Sequence, residues 1–201
     1  HPDPTVKRKS GFLIPTIKNS ANTTNYFSIP YFSVLSQNKD LTFTPRLYSN
    51  ADFLLQTEYR QENKESSHIT DFSLFNQKGD SKSHFFYKYS KFIEFANFDE
   101  GNINLKIEKT SNDTYLRKSK LSSPLFKSLN VLENTFGINL SSDKFSLDTE
   151  FKVYEDLDKE ESSDRYEFIL PKFDITKKID NFTKLAGNFL LKSNNLIRSY
   201  D

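Results

Sequence analysis

Along most of the chain, large apolar side chains return at every second position, and that spacing restricts the fold more than any other feature. Phe145, Leu147, Thr149, Phe151 and Val153 alternate with Ser146, Asp148, Glu150, Lys152 and Tyr154. Ile103, Leu105 and Ile107 alternate with Asn102, Asn104, Lys106 and Glu108, and Leu41, Phe43, Pro45 and Leu47 with Thr42, Thr44 and Arg46. Leu132, Phe136, Ile138 and Leu140 repeat the pattern, interrupted at Asn134. Successive side chains of a strand point to opposite sides, so such runs make a sheet with one greasy and one wet face. Helical periodicity is weak throughout. With 20 Phe and 10 Tyr the chain is too aromatic to be disordered. Yet only 35% of it is hydrophobic, which is little for an ordinary two-sided core.

Polar breaks at 19–25, 36–40, 49–52, 62–67, 77–82, 97–102, 141–144, 158–164 and 180–181 separate these runs. The spacing predicts about eleven strands, many of roughly 9–11 residues, enough to cross a tilted bilayer path. The reading is all-β: an antiparallel up-and-down meander, part of a transmembrane β-barrel, left as a curved open sheet. Counting alternate turns, 36–40, 141–144 and 180–181 fall at one end and are short. The connections 118–130 and 155–164 fall at the other and are longer, as in an outer-membrane barrel whose short turns are periplasmic. Residues 119–129 form the longest run without alternation and are expected to be a loop. Two alternatives stand beside this: another outer-membrane barrel such as a porin or receptor, and a soluble carbohydrate-binding β-sandwich. A sandwich would break the long runs into shorter strands in two sheets.

Other function classes recede on composition. The balance of 28 Lys and Arg against 27 Asp and Glu gives a charge of +1, which argues against a nucleic-acid groove and so against a nucleic-acid partner. The absence of Cys excludes a disulfide framework, thiol chemistry and Cys-ligated metal within these residues. Five Gly leave no glycine-rich phosphate loop, and no cofactor is expected. No apolar run reaches the length of a transmembrane helix. His68 and His84 lie in no metal-ligand or nucleophile-elbow pattern, so catalysis is not expected. A start at His1 without a leader, and an end at Asp201 without a change of composition, read as a fragment.

Four blocks near the start then form a recognisable series. Lys7-Arg8-Lys9-Ser10-Gly11-Phe12-Leu13-Ile14-Pro15 is followed by Ser28-Ile29-Pro30-Tyr31-Phe32, by Asp40-Leu41-Thr42-Phe43-Thr44-Pro45-Arg46 and by Glu58-Tyr59-Arg60. Their order and spacing resemble the start of the barrel domain of the lipopolysaccharide-assembly family LptD, also called organic solvent tolerance protein OstA. Ser111 to Leu116 and Asp164 to Glu167 match more loosely. The resemblance implies that residues 1–201 are the N-terminal part of an outer-membrane barrel, lacking its upstream periplasmic domain and the remaining strands. It implies a role in moving lipopolysaccharide to the outer leaflet, the saccharide through the lumen and the lipid through a lateral seam. The implied partners are lipopolysaccharide, an LptE-like plug lipoprotein, an LptA-like periplasmic bridge protein and outer-membrane lipids.

The candidate site residues follow. Pro15 and Pro30 fall inside the first two strand-like runs, where proline has no N–H to give the ladder. Beside a closing seam they thin its hydrogen bonding, and the family carries two prolines at this place; the plainer reading is a pair of bulges. Pro45 and Pro171 are read as bends. Lys7, Arg8 and Lys9 precede the first strand as contacts for lipid phosphates, or as a solvated basic flank. Lys106, Glu108, Asp148, Glu150 and Lys152 are expected to face a wet lumen. Glu155, Asp156, Asp158, Glu160 and Glu161 form an acidic loop, either simply solvated or sharing divalent cations with lipid phosphates.

Overall fold

A computed structural model describes residues 8–20, 23–95, 98–160, 162–182 and 185–198. The described residues form one antiparallel sheet with two short helices. The strands are β1 (Gly11–Phe12), β2 (Thr16–Ser20), β3 (Thr23–Ser28), β4 (Tyr31–Ser36), β5 (Lys39–Tyr48), β6 (Phe53–Glu62) and β7 (Ser66–Gln77). They continue as β8 (Asp80–Phe92), β9 (Glu100–Thr110), β10 (Val131–Ser141), β11 (Phe145–Asp156), β12 (Tyr166–Phe182) and β13 (Leu185–Arg198). Helix α1 is Tyr115–Ser119 and α2 is Ser162–Arg165. From β5 onward each strand pairs with the next, an up-and-down order that stays open, β1 and β13 having no pairing with each other. β1 pairs with β4 and β2 with β3, while β3 and β4 both pair with β5. The first two strands are therefore each cut in two, at Leu13–Pro15 and Ile29–Pro30, and the thirteen segments make up the eleven strands read from alternation.

From β5 to β13 the strands run from 10 to 17 residues, two to three times the usual globular length of about 5–6. Tight turns keep them in register. Lys78 and Gly79 both have positive φ, 51° and 88°, which gives a two-residue hairpin turn of the right twist. Between β8 and β9, a Cβ on Gly101 would lie 2.5 Å from the Ile93 carbonyl oxygen, so only glycine fits there. The long connections, 111–130 and 157–165, share one end of the sheet, as the loop parity predicts. The break read at 180–181 is a correction: β12 runs on through Phe182, with a register shift between Ile179 and Phe182.

Pairing fixes which side chains share a face. Leu54, Gln56, Asp71, Ser73, Phe75, His84 and Phe86 lie together on one face, all buried. The connection 111–130 folds over that face, so Tyr115, Leu116, Leu121 and Leu125 join Leu54, Phe75, Phe86, Leu132 and Leu157 in one apolar cluster. The other face has no covering layer among the described residues. Its Phe43, Leu47, Leu74, Phe85, Phe136 and Phe151 stay 37–56% exposed. The all-β, single-sheet reading therefore holds, and the two-sheet sandwich does not. Beyond the last residue of α1 the expected loop 119–129 is a loop, and it is packed, because its leucines find an apolar patch on the covered face.

Since Leu116 is fully buried, Leu116→Ala in the intact protein should cost about 2–5 kcal/mol of unfolding free energy in denaturant titrations. Phe151→Ala, on the open face, should cost clearly less.

Candidate functional site

The interruption of the first two strands is the most distinctive local geometry. Phe12 lies opposite Tyr31 and Thr16 opposite Ser28. The path from Phe12 to Thr16 thus holds one more residue than the path from Tyr31 to Ser28, a bulge centred on Ile14 and Pro15. The Leu13 N–H donates to the Pro30 carbonyl at 2.8 Å. The reciprocal bond would need an N–H on Pro30, and proline has none. Ile14, beside this gap, is 88% exposed. Pro30 therefore removes one donor from this ladder, and Pro15 lies in the bulge next to it.

The basic residues ahead of β1 divide. Lys7 lies outside the described residues. Arg8 donates to the buried Asp40 carboxylate and lies 5.5 Å over the Phe32 ring. Arg60 approaches the same carboxylate at 3.6 Å. Lys9 is exposed.

On the covered face, polar side chains hold the packed connection in place. Arg46 of β5 donates to the Ser119 carbonyl at 2.9 Å and lies 5.0 Å over the Tyr26 ring of β3. Gln56 donates to Asp71 at 2.9 Å and to the Ser122 carbonyl at 2.9 Å. The Ser73 hydroxyl is 2.6 Å from both His84 Nδ1 and the Tyr115 hydroxyl, while His84 Nε2 lies 3.3 Å from Asp71. Serine, histidine and aspartate thus meet, but all three are at most 1% exposed and the serine hydroxyl is shared with Tyr115. The trio fastens the segment; a substrate has no route to it. Burial pushes the Tyr115 phenol up to about 12.

The expected wet-face residues do share the covered face. Lys106 Nζ contacts Glu108 at 2.7 Å and Glu133 at 2.9 Å, and Lys152 contacts Glu150 at 2.9 Å and Glu133 at 3.7 Å. Asp148 lies on the same face but is exposed, between Asn139 and Asp174 in the pairing, outside this network. Glu133, which the sequence reading missed, joins the two lysines across β9, β10 and β11. Its signal was the break in alternation at Asn134. There the Glu108 N–H donates to the Asn134 side chain at 2.9 Å, and the Glu133 N–H to the Glu108 carboxylate at 2.7 Å. Side chains replace the regular ladder at that point.

At the long-loop end, Arg165 bridges Asp113 at 2.7 Å and Glu155 at 2.6 Å, and Arg117 pairs with Asp158. These contacts tie the 111–130 connection to the acidic loop, so Glu155 and Asp158 are engaged by arginine. Glu161 lies outside the described residues. No cluster of three or more metal-ligating side chains occurs among the described residues. Hydrogen bonds from Arg165 hold the Asp113 carboxyl below the usual carboxylate range, and both acids raise the Arg165 guanidinium.

No protein-family model matches the chain. Over 98% of its length it aligns at 25% identity with the LPS-assembly protein LptD of Pseudoalteromonas atlantica, of which it covers 25%. With the LPS-assembly protein LptD of Sodalis glossinidius it is 38% identical over 66 residues, 33% of this chain and 8% of that relative. With that of Bordetella pertussis it is 43% identical over 54 residues, 27% of this chain and 7% of that relative. The chain is thus similar to LptD proteins of several bacteria, along nearly its whole length to one of them and over a third of it or less to the others. It spans about a quarter of the length of the first of these LptD proteins.

Two outcomes test the side-chain networks. Lys106→Met leaves Glu108, only 3% exposed, without its cation, and should destabilise the intact protein by about 3 kcal/mol in denaturant titrations. The Asp113–Arg165 tie has the sign of a depressed carboxyl: its stabilisation is complete above the unfolded pKa of about 3.9 and is lost as pH falls through the lower folded value. Protease cleavage within 111–130 should therefore rise below pH 4 in the parent, whereas Asp113→Asn should show the faster cleavage already at pH 7.

Proposed function

We propose that the chain is the N-terminal part of an LptD-like outer-membrane barrel domain and that it serves lipopolysaccharide assembly and transport at the bacterial outer membrane. The alignment along nearly the whole chain with an LPS-assembly protein carries this reading. The uncovered apolar face, with strands of 10 or more residues from β5 onward, suits a surface that meets hydrocarbon. The covered face, with its ion network of Lys106, Glu108, Glu133, Glu150 and Lys152 and the exposed Asp148, is then the lumen wall along which the saccharide passes. An LptE-like lipoprotein plugs the complete barrel, an LptA-like bridge delivers lipid from the periplasm, and the remaining strands close the sheet.

In this reading the acyl chains leave sideways at Pro15 and Pro30. A ladder bond contributes roughly 0.5–1.5 kcal/mol net in water, and an unpaired group in hydrocarbon costs several times that. A continuous ladder therefore resists parting in lipid, whereas one already short of donors parts at lower cost. Lys9, Arg8 once it leaves Asp40, and Lys7 supply cations beside the seam for lipid phosphates. The chain carries no nucleotide-binding motif, so the energy for transport comes from other components.

Replacing both prolines by threonine in the intact protein restores two backbone donors. The double variant should still fold, as judged by heat-modifiable gel migration, and should deliver lipopolysaccharide to the cell surface several-fold more slowly. Unchanged surface delivery in the folded variant would remove the seam role.

A further inference from the structure

Pro45 occupies a defined place relative to the two seam prolines. The register of β3 and β4 on β5 is continuous: Tyr31 is opposite Phe43 and Ser28 opposite Arg46, which sets Ile29 opposite Pro45 and Pro30 opposite Thr44. The interruptions at Leu13–Pro15 and Ile29–Pro30 and the residue pair Thr44–Pro45 thus lie side by side across three strands.

The direction in which each backbone group points decides what Pro45 does. Tyr48 N–H donates to the Asp52 carbonyl at 3.1 Å, and Glu62 N–H donates to the Asn38 carbonyl at 2.9 Å. Even-numbered positions along β5 therefore turn their backbone toward β6. Ser49 N–H donates to the Asn25 carbonyl at 2.9 Å, so odd-numbered positions turn toward β3 and β4. Pro45 is odd, and its missing donor faces Ile29. The pairing of β5 with β6 runs without a break from Lys39 to Leu47, since at Pro45 it needs no N–H from that side. Pro30, by the Leu13 bond, has its missing donor on the opposite flank of the same strand. At Ile29 the second strand thus lacks the donor that β5 would give, and at the adjacent Pro30 it lacks its own donor toward the first strand.

Both sides of this level are held by side chains. On one side Arg46 ties β5 to Tyr26 of β3 and to the packed 111–130 segment. On the other, Arg8 pairs with Asp40 beside β4. We propose that Pro45 is a positioning residue for lateral lipid release, a role that rests on the seam reading. By withholding a donor from Ile29, it lets the second strand bow at mid-length between two anchored ends. The opening is then a window at the level of the three prolines rather than an unzipping from one rim.

The test uses the intact protein with Pro45→Ala and Pro45→Thr, which share a restored N–H and differ in side chain, and Pro171→Ala as a remote control in β12. Hydrogen exchange of peptides covering residues 26–36 should slow several-fold in both Pro45 variants, and surface delivery of lipopolysaccharide should fall several-fold with it. Pro171→Ala should move neither. Should the folded Pro45 variants match the parent in exchange and delivery while the Pro15 and Pro30 double variant is slow, this inference is overturned and the seam reading stands. Slower exchange with normal delivery likewise overturns the role of Pro45 in release. If the double variant also delivers normally, both readings fall. Should one Pro45 variant fail to fold, as seen by gel migration, the other decides.

Discussion

Everything in this sheet depends on the backbone ladder being satisfied strand by strand. Long strands with one apolar face can stand in hydrocarbon only when each N–H and C=O finds a partner in the next strand. From β5 to β13 that condition is met over most of each strand of 10 to 17 residues. Strands β9 and β10 pair through Glu100–Lys106 and Thr135–Ser141, the Asn134 and Glu108 side chains take the backbone donors beyond, and bulges or register shifts fall in the last two pairings. The contrast with the first two strands is then a contrast in donors. Proline removes them at Pro15 and Pro30, and there the strands come apart into β1, β2, β3 and β4.

The covered face is organised by a different interaction. Fully buried tyrosine, serine, histidine and aspartate side chains, together with Arg46 and Gln56, fasten the 111–130 connection by hydrogen bonds to its backbone and to Tyr115. Apolar contacts from Leu116, Leu121 and Leu125 add the bulk of the packing. A polar network and an apolar cluster coexist because they rest mainly on different strands. Leu54, Phe75 and Phe86 of β6, β7 and β8 carry the cluster, and the lysine–glutamate network spans β9, β10 and β11.

Much of this was legible in the sequence, and for a physical reason. Period-two alternation is a direct record of two-faced burial, so Phe145 to Val153 and Ile103 to Ile107 reveal strand type and facing without any tertiary information. The prolines were legible too, because a missing N–H is a property of the residue itself. What stayed hidden depends on contacts distant along the chain. Leu121 and Leu125 look like an irregular loop until Leu54 and Phe86 are brought beneath them. Glu133 looks like a break in a pattern until Lys106 and Lys152 arrive from neighbouring strands. Arg8 looks like a free cation in a basic run, and its engagement with Asp40, 32 positions away, has no local signature.

The charged network has a further consequence for how the sheet assembles. Lys106, Glu133 and Lys152 belong to three consecutive strands and meet only when each strand is paired at one alignment. A slip by one residue would turn every one of these charges toward the greasy side and every Phe and Leu of the strand toward the wet one. A slip by two would keep the faces but pull the cations off their carboxylates. The cluster therefore favours one alignment of β9, β10 and β11 over its neighbours.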